Sequence, residues 1–567
     1  MTRDELLRIL SFAEATREIA EKRAPLATTD PRWNIIGYVM RRHLQGKMVT
    51  ATSAAMAAEV PYGTALRRIG DLIDEGMLHK RPRSKSGKSF SLHPTRRLIE
   101  EFESYAIQMK ALVGGTFGFN TGDGELGDFY FGGYYMASRI LAYPSPMRQG
   151  IGYGRPFRIL GSMDPTFRTL AAQAQALEEL CGGAVEIETL PLDALHAEIM
   201  ENAARPVSRY DLVAADLPWL GELAEARVIS ALDETIAAAR YNTSDFHGAA
   251  LRGCGWTGRI YGLPIQPTVE LLFCREDLFA ESGLDIPRTT EEVLRAARVL
   301  DRAALNLSGI VMNFGRGTPV AHTFLQTLAD FGQPVIDLAR LGEDYDLSRI
   351  EGERLRPRLD TQAARMAAEF LLELAEFSHP ESLSCDWDKR IALFSGGHAA
   401  MTYGWSIRAS AFELNPRSPA HGNVRFVPHP PAPGGRTVSP IGGFALSIPA
   451  GLDDDRRRVA WKMLEYLTRP ELMKWYVQNG NLTSARFSTS ADPEVRARSG
   501  LFAAVDAMER RGEVQIWPRP PVPEFSAILG ILADEIHAML RGDAPVVDAL
   551  AASQARIDTL MRENGRY

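Results

Sequence analysis

From Phe157 onward short apolar runs alternate with amphipathic stretches, and this alternation constrains the fold more than any other feature of the chain. Phe157-Arg158-Ile159-Leu160 reads as a strand, Pro165 to Leu180 as a helix and Val185-Glu186-Ile187 as the next strand. Such a pattern calls for layered α/β architecture with mostly parallel sheets. At 567 residues the chain exceeds what one hydrophobic core organises, so at least two domains are expected. Hydrophobic residues make up 45% and charged residues 24%, an ordinary balance for a soluble globular protein. No run approaches the roughly 18–20 apolar residues of a membrane-spanning helix, so no membrane insertion is expected.

The first 110 residues differ from the rest. They hold 19 Lys+Arg against 13 Asp+Glu, which leaves 45 against 58 for the remainder of the chain. A basic head on an acidic body suits a polyanionic partner of the head. Trp33, Ile36, Gly37, Met40 and Leu44 recur at helical spacing between Pro31 and Gly46. A short Ala-rich helix is expected over Thr50–Ala58, capped by Thr52 or Ser53. After the turn Glu59–Gly63 comes a third helix, with Thr64 near its start and Leu66, Ile69, Leu72 and Ile73 on one face, closed by Gly76. Met77-Leu78-His79 and Phe90-Ser91-Leu92 then flank a hairpin tip with five basic residues and no acidic one between Lys80 and Lys88. This order resembles the winged helix-turn-helix of MarR-like regulators. The resemblance implies a small α+β domain that places Tyr62, Thr64, Arg67 and Arg68 at the major groove of double-stranded DNA. Lys80, Arg81, Arg83, Lys85 and Lys88 would then meet phosphates or the minor groove. Beyond the hairpin, Leu98, Phe102, Tyr105, Met109 and Leu112 step like a coiled-coil seam, which would suit either a homodimer or simple core packing. Residues 111–155 form a connector with eleven glycines and many aromatic residues, unlike a flexible linker.

In the body, four segments recur in order. The first runs from Tyr210-Asp211-Leu212 through Asp216 to Trp219. The second is Tyr261-Gly262-Leu263-Pro264 with Leu272 to Phe279. The third is Leu393-Phe394-Ser395-Gly396-Gly397, ending at Gly404-Trp405-Ser406. The fourth joins Pro433–Arg436 to Gly442–Pro449 and the Trp461–Pro470 helix. Together they resemble family 1 extracellular solute-binding proteins, the maltose-binding-like group that serves ABC importers. The resemblance spans about residues 156–560 and implies a two-lobed, periplasmic-binding-protein-like (type II) domain over 156–567, closing on a small molecule. It points to Trp219 and Trp405 as stacking platforms, Asp216 as a hydrogen-bond acceptor and Gly443 as a point of close backbone approach. Gln266, Arg316 and Arg486 are candidates by position. A carbohydrate is the ligand class that the resemblance implies.

No G-x-S-x-G elbow, H-E-x-x-H pair, phosphate loop or dinucleotide fingerprint occurs, so neither an enzyme nor a cofactor is expected. Cys181, Cys254, Cys274 and Cys385 lack metal-ligand spacing and read as unpaired thiols, with no metal expected. The charged start, with Glu14, Glu18 and Glu21, does not read as a secretory signal. These features predict a cytoplasmic, ligand-responsive transcriptional regulator in which the body senses a solute and controls DNA binding by the head. The alternatives are the substrate-binding component of an ABC importer, periplasmic if the start is misassigned, and a cytoplasmic scaffold without a ligand.

Overall fold

The protein's structure, a computed structural model, describes residues 10, 13–14, 30–45, 47–82, 90–117, 119–120, 129–131, 134–136, 141, 143–147, 150–341 and 344–567. Residues 1–140 with 492–494 form one compact unit, and 141–491 with 495–567 form the other.

The first unit carries α1 (Pro31–Leu44), β1 (Val49–Thr50), α2 (Ala51–Met56), α3 (Tyr62–Asp74), β2 (Leu78–Pro82), β3 (Phe90–Pro94) and α4 (Arg96–Phe117). Its strands pair antiparallel in the order β1-β3-β2. The helix starts follow local chemistry. Asp30 caps α1 with its side chain, and Pro31 stands at the first helical position, where a missing N–H costs nothing. The cap of α2 is Thr50, not Thr52 or Ser53. The Thr50 hydroxyl accepts from the Ser53 N–H at 3.1 Å, and the Ser53 hydroxyl accepts from the Thr50 N–H at 3.0 Å, a reciprocal capping box. Gly76 ends the α3 region at φ +73°, as expected.

Ile35, Val39, Ala65, Ile69, Leu72, Leu78 and Leu92 build the core of this unit. Leu66, expected to share the buried face, is 38% exposed, because Ala65 takes the inward position. Leu98 and Phe102 of α4 pack into the same core, so the first half of the expected dimer seam is spent within its own unit. The side chains of Met109 and Leu112 lie outside the described residues, as do Arg83, Lys85 and Lys88.

The second unit is built on a nine-stranded mixed sheet. Its strands are β4 (Phe157–Ser162), β5 (Val185–Leu190), β6 (Leu212–Asp216), β7 (Leu263–Arg275), β8 (Ser308–Val311), β9 (Ala399–Trp405), β10 (Val424–Val427), β11 (Ser439–Ser447) and β12 (Val514–Gln515). The order is β8-β9-β7-β11-β6-β4-β5, with β10 on β7 and β12 on β11. β4 runs parallel to both β5 and β6, and β8 parallel to β9. The long strands β7 and β11 run antiparallel to each other and to their other neighbours β9 and β6. Two parallel α/β halves therefore meet on an antiparallel centre, which the expectation of mostly parallel sheets did not include.

β7 changes partner along its length. Leu263–Val269 pair with β11, and Glu270–Cys274 pair with β9. All thirteen of its residues are buried, the polar Gln266, Thr268, Glu270 and Arg275 among them, so the strand is covered on both faces. Separate cores lie on either side, one around Phe157, Leu212, Phe444 and Trp475, the other around Leu272, Phe324, Phe525 and Ile536. This is a two-lobed architecture joined by crossing strands.

Candidate functional site

A cavity of about 390 Å³ opens between the lobes, within the range of small-molecule sites. Its walls come from the carboxyl ends of strands and the turns that follow, where α/β sheets place their ligand sites. Asp164 follows β4, Asp216 ends β6, Trp405 ends β9, and Gly443 and Phe444 sit within β11. Trp387 and Asp388 open the helix Trp387–Ser395, His322 lies in the helix Thr318–Asp330, Arg408 in the short 3-10 helix Ser406–Ala409, and Arg519 in an irregular segment. The local sequence explains these placements. Asp386 caps the 387–395 helix by accepting from the Asp388 and Lys389 N–H groups, which fixes Trp387 at the mouth of the helix. Pro518, Pro520 and Pro521 flank Arg519 and hold it in an irregular segment after β12.

Aromatic rings and three ion pairs shape the interior. Trp387 and Trp405 lie 6.4 Å apart at 55°, and His322 stands 5.6 Å from Trp387. Arg519 donates to Asp216 at 3.0 Å, and its guanidinium lies 5.1 Å from the centre of the Trp405 ring. Arg408 donates to Asp164 at 3.0 Å and also pairs with Asp388. Gln266 donates to the other Asp164 oxygen at 3.3 Å while accepting from the Thr166 N–H at 3.2 Å. Burial pushes the Asp216 carboxyl above its usual range, and the charge and hydrogen bond of Arg519 pull against that rise. Burial, with the Arg519 charge adding to it, holds the His322 imidazole well below its ordinary value, so it is neutral near pH 7. His322 Nδ1 has no hydrogen-bond partner among the described residues.

Two glycines are required here. At Gly442 a Cβ would overlap the Arg519 guanidinium and crowd the Trp405 ring. At Gly443, with φ +93°, a Cβ would overlap the Gln266 carbonyl oxygen. The glycine pair thus lets β11 approach β7 and leaves the space that Arg519 occupies. Beneath this floor Arg390 and Glu270, 1% and 0% exposed, pair at 3.3 Å, with the guanidinium 5.7 Å from the Trp387 ring.

Of the seven residues expected to hold a ligand, the structure brings Asp216, Trp405 and Gly443 to the cavity. Gln266 stands one step behind, buried and holding Asp164. Three lie elsewhere. Trp219 packs into the core of the first lobe, edge-on to His196 at 4.9 Å. Arg316 is on the surface and pairs with Asp534 at 3.1 Å. Arg486 is buried against the Phe246 ring at 3.8 Å and donates to the Thr468 carbonyl, which commits it to packing. Sequence reasoning missed Asp164, Trp387, Arg408 and Arg519. Asp164-Pro165, directly after a strand that ends at Ser162, carried a legible signal; the other three carried none.

The four cysteines are free and buried. Among the described residues there is no group of three or more His, Cys, Asp or Glu side chains placed to hold a metal ion, and no helix is long and apolar enough to cross a membrane.

Residues 161–474 match the family described as bacterial extracellular solute-binding protein, and this chain belongs to that family. A curated relative, the mannitol-binding protein of Pseudomonas aeruginosa, is 22% identical over 344 residues, covering 58% of this chain and 75% of its own. The ABC transporter solute-binding protein of Agrobacterium radiobacter K84, solved in complex with ribitol, shares the fold at 24% identity and a TM-score of 0.65. That match covers 72% of this chain and 99% of the other. The maltose-bound MalE3 of T. maritima shares it at 20% identity and a TM-score of 0.62, over 71% and 99%. These findings correct the expectation of a ligand-responsive transcriptional regulator. The matched family is one of extracellular solute-binding proteins and covers more than half of the chain, so the basic amino-terminal head does not set the chain's class.

Proposed function

We propose that this protein is a substrate-binding protein of an ABC importer that takes one molecule of a sugar or polyol between its lobes. The observation that carries the reading is the cavity itself, where the Trp387 and Trp405 rings face an array of paired acidic and basic groups. Ring faces match the apolar C–H faces of a sugar, and fixed carboxylates and guanidinia match its hydroxyls. The ligands of the relatives, mannitol, ribitol and maltose, support the class. A thermal-shift panel of hexoses, disaccharides, pentitols and hexitols on the full chain tests it. A member present at a hundred times its Kd stabilises the native state by about 2.7 kcal/mol, a measurable rise in Tm. A panel without a single shift would overturn the reading.

An importer's binding protein works outside the cytoplasmic membrane; cell fractionation tests that placement against a cytoplasmic one. For residues 31–94, the order of three helices and a hairpin supports a winged-helix fold. Tyr62, Thr64, Arg67 and Arg68 of α3 and Lys80 and Arg81 of β2 are exposed, which supports contact with a polyanion such as duplex DNA. Duplex binding across a salt series, with Arg67→Ala/Arg68→Ala as control, tests that contact, and control by the solute forms no part of it.

A further inference from the structure

We propose that the buried Asp216–Arg519 pair sets the charge specificity of the cavity: it admits an uncharged polyhydroxylated solute and refuses the acid and the amine of the same skeleton. The inference rests on the sugar-or-polyol reading above and goes beyond it, because that reading does not distinguish mannitol from mannonate.

The lining of the cavity is electrically balanced. Asp164, Asp216 and Asp388 face Arg168, Arg408 and Arg519, three formal charges of each sign. Two of these opposed groups are out of water. The Asp216 and Arg519 side chains are 8% and 5% exposed and joined at 3.0 Å. The further carboxylate that acts on Asp216 is Asp164, itself paired with Arg408 at 3.0 Å. Trp405 offers a ring face to the guanidinium, Gly442 offers no side chain at all, and His322 is neutral near pH 7.

A hydroxyl both donates and accepts, so it can bond the carboxylate and the guanidinium together without disturbing their balance. A solute carboxylate cannot. It would gain from Arg519 but stand against Asp216 in a site of low dielectric, and like charges so placed oppose binding strongly. An ammonium meets the converse difficulty at Arg519. Separating the pair to serve either group would leave the other partner buried and alone, the most costly arrangement available to it.

The test is calorimetric titration of the full-length protein with D-mannitol and ribitol, then with D-mannonate and 1-amino-1-deoxy-D-mannitol. The wild type is expected to bind the neutral polyols at least about a hundredfold more tightly than the acid or the amine. Asp216→Asn leaves Arg519 uncompensated and is expected to raise the ratio of acid to neutral affinity at least about tenfold. Arg519→Gln is expected to raise the ratio of amine to neutral affinity in the same way. Because ratios are read, a general weakening in either variant does not obscure the result, and the wild-type comparison needs no variant. Equal wild-type affinity for mannitol and mannonate overturns the inference while leaving the sugar-or-polyol reading intact, and so do ratios unchanged in both variants. Failure of all four solutes, with every neutral sugar also failing in the thermal-shift panel, overturns both.

Discussion

Replacing Arg390 by methionine should destabilise this protein through the charge it strands more than through the contacts it removes. Glu270 lies in the middle of β7, directly opposite Trp405, and is fully buried. Arg390 is its ionic partner, and Glu270 Oε2 and Arg390 Nε have no further hydrogen-bond partner among the described residues. Breaking a buried pair from one side costs about 3–5 kcal/mol, because the remaining charge has neither water nor a counter-ion. A loss of about 4 kcal/mol is close to a thousandfold in the unfolding equilibrium. Spread over a unit of about 420 residues with about 2.1 cal/mol/K of unfolding entropy per residue, it lowers Tm by about 4–5 °C. Replacing both partners by apolar residues of similar volume, Glu270→Leu with Arg390→Met, removes the stranded charge and should recover stability to within about 1 kcal/mol of the wild type. Urea unfolding followed by tryptophan fluorescence, together with scanning calorimetry, measures both variants. A single variant that loses less than about 1 kcal/mol, or a double variant no better than the single, would refute the reasoning.

Gly443→Ala should cost about 2–4 kcal/mol, since it combines a backbone conformation hostile to side chains with a collision against the Gln266 carbonyl. It should also weaken ligand binding, because β11 and β7 must part where they frame the cavity; urea unfolding and a ligand titration read the two effects. Stability should depend on pH through the buried Asp330–His429 pair, joined at 3.0 Å. Burial pushes the Asp330 carboxyl up to about 6, and Asp330 outweighs the burial of His429 to raise the imidazole above its ordinary value. The native state therefore holds protons that the unfolded chain releases. The stabilisation is fully present below about pH 4 and is lost as pH rises through 6 and on through the titration of His429. Tm measured between pH 5 and 8 should fall from this source, and Asp330→Asn should flatten the slope; an unchanged slope in that variant would count against the pair.

Much of the second unit was legible in the sequence because strand ends and glycine pairs leave local marks. Asp216, Trp405 and Gly443 lie in the motifs that resemble family 1 solute-binding proteins, and all three reach the cavity. Arg408 and Arg519 could not be read in this way. Their partners Asp164 and Asp216 stand 244 and 303 positions away, a proximity that only the folded sheet creates. Trp219 shows the opposite failure. It ends the Leu217–Trp219 turn just after β6, yet the turn rotates its ring into the lobe core. Arg486 and Arg316 misled for a simpler reason, since position in the chain says nothing about whether a guanidinium meets a ligand, a carbonyl or a surface carboxylate. At the amino-terminal unit the elements were legible but their reach was not, because a basic helical head does not determine what the larger domain does.

The proposed function places the bound solute in the cavity bounded by Trp387, Trp405, Asp216 and Arg519. Equilibrium dialysis of the full-length protein against the tightest-binding member of the sugar and polyol panel tests it most directly, with Trp405→Ala and Arg316→Ala measured beside the wild type. One molecule bound per chain is expected, weakened at least about tenfold by Trp405→Ala, which removes a stacking ring, and unchanged by Arg316→Ala on the surface. Binding that survives Trp405→Ala undiminished would place the solute elsewhere and contradict the account.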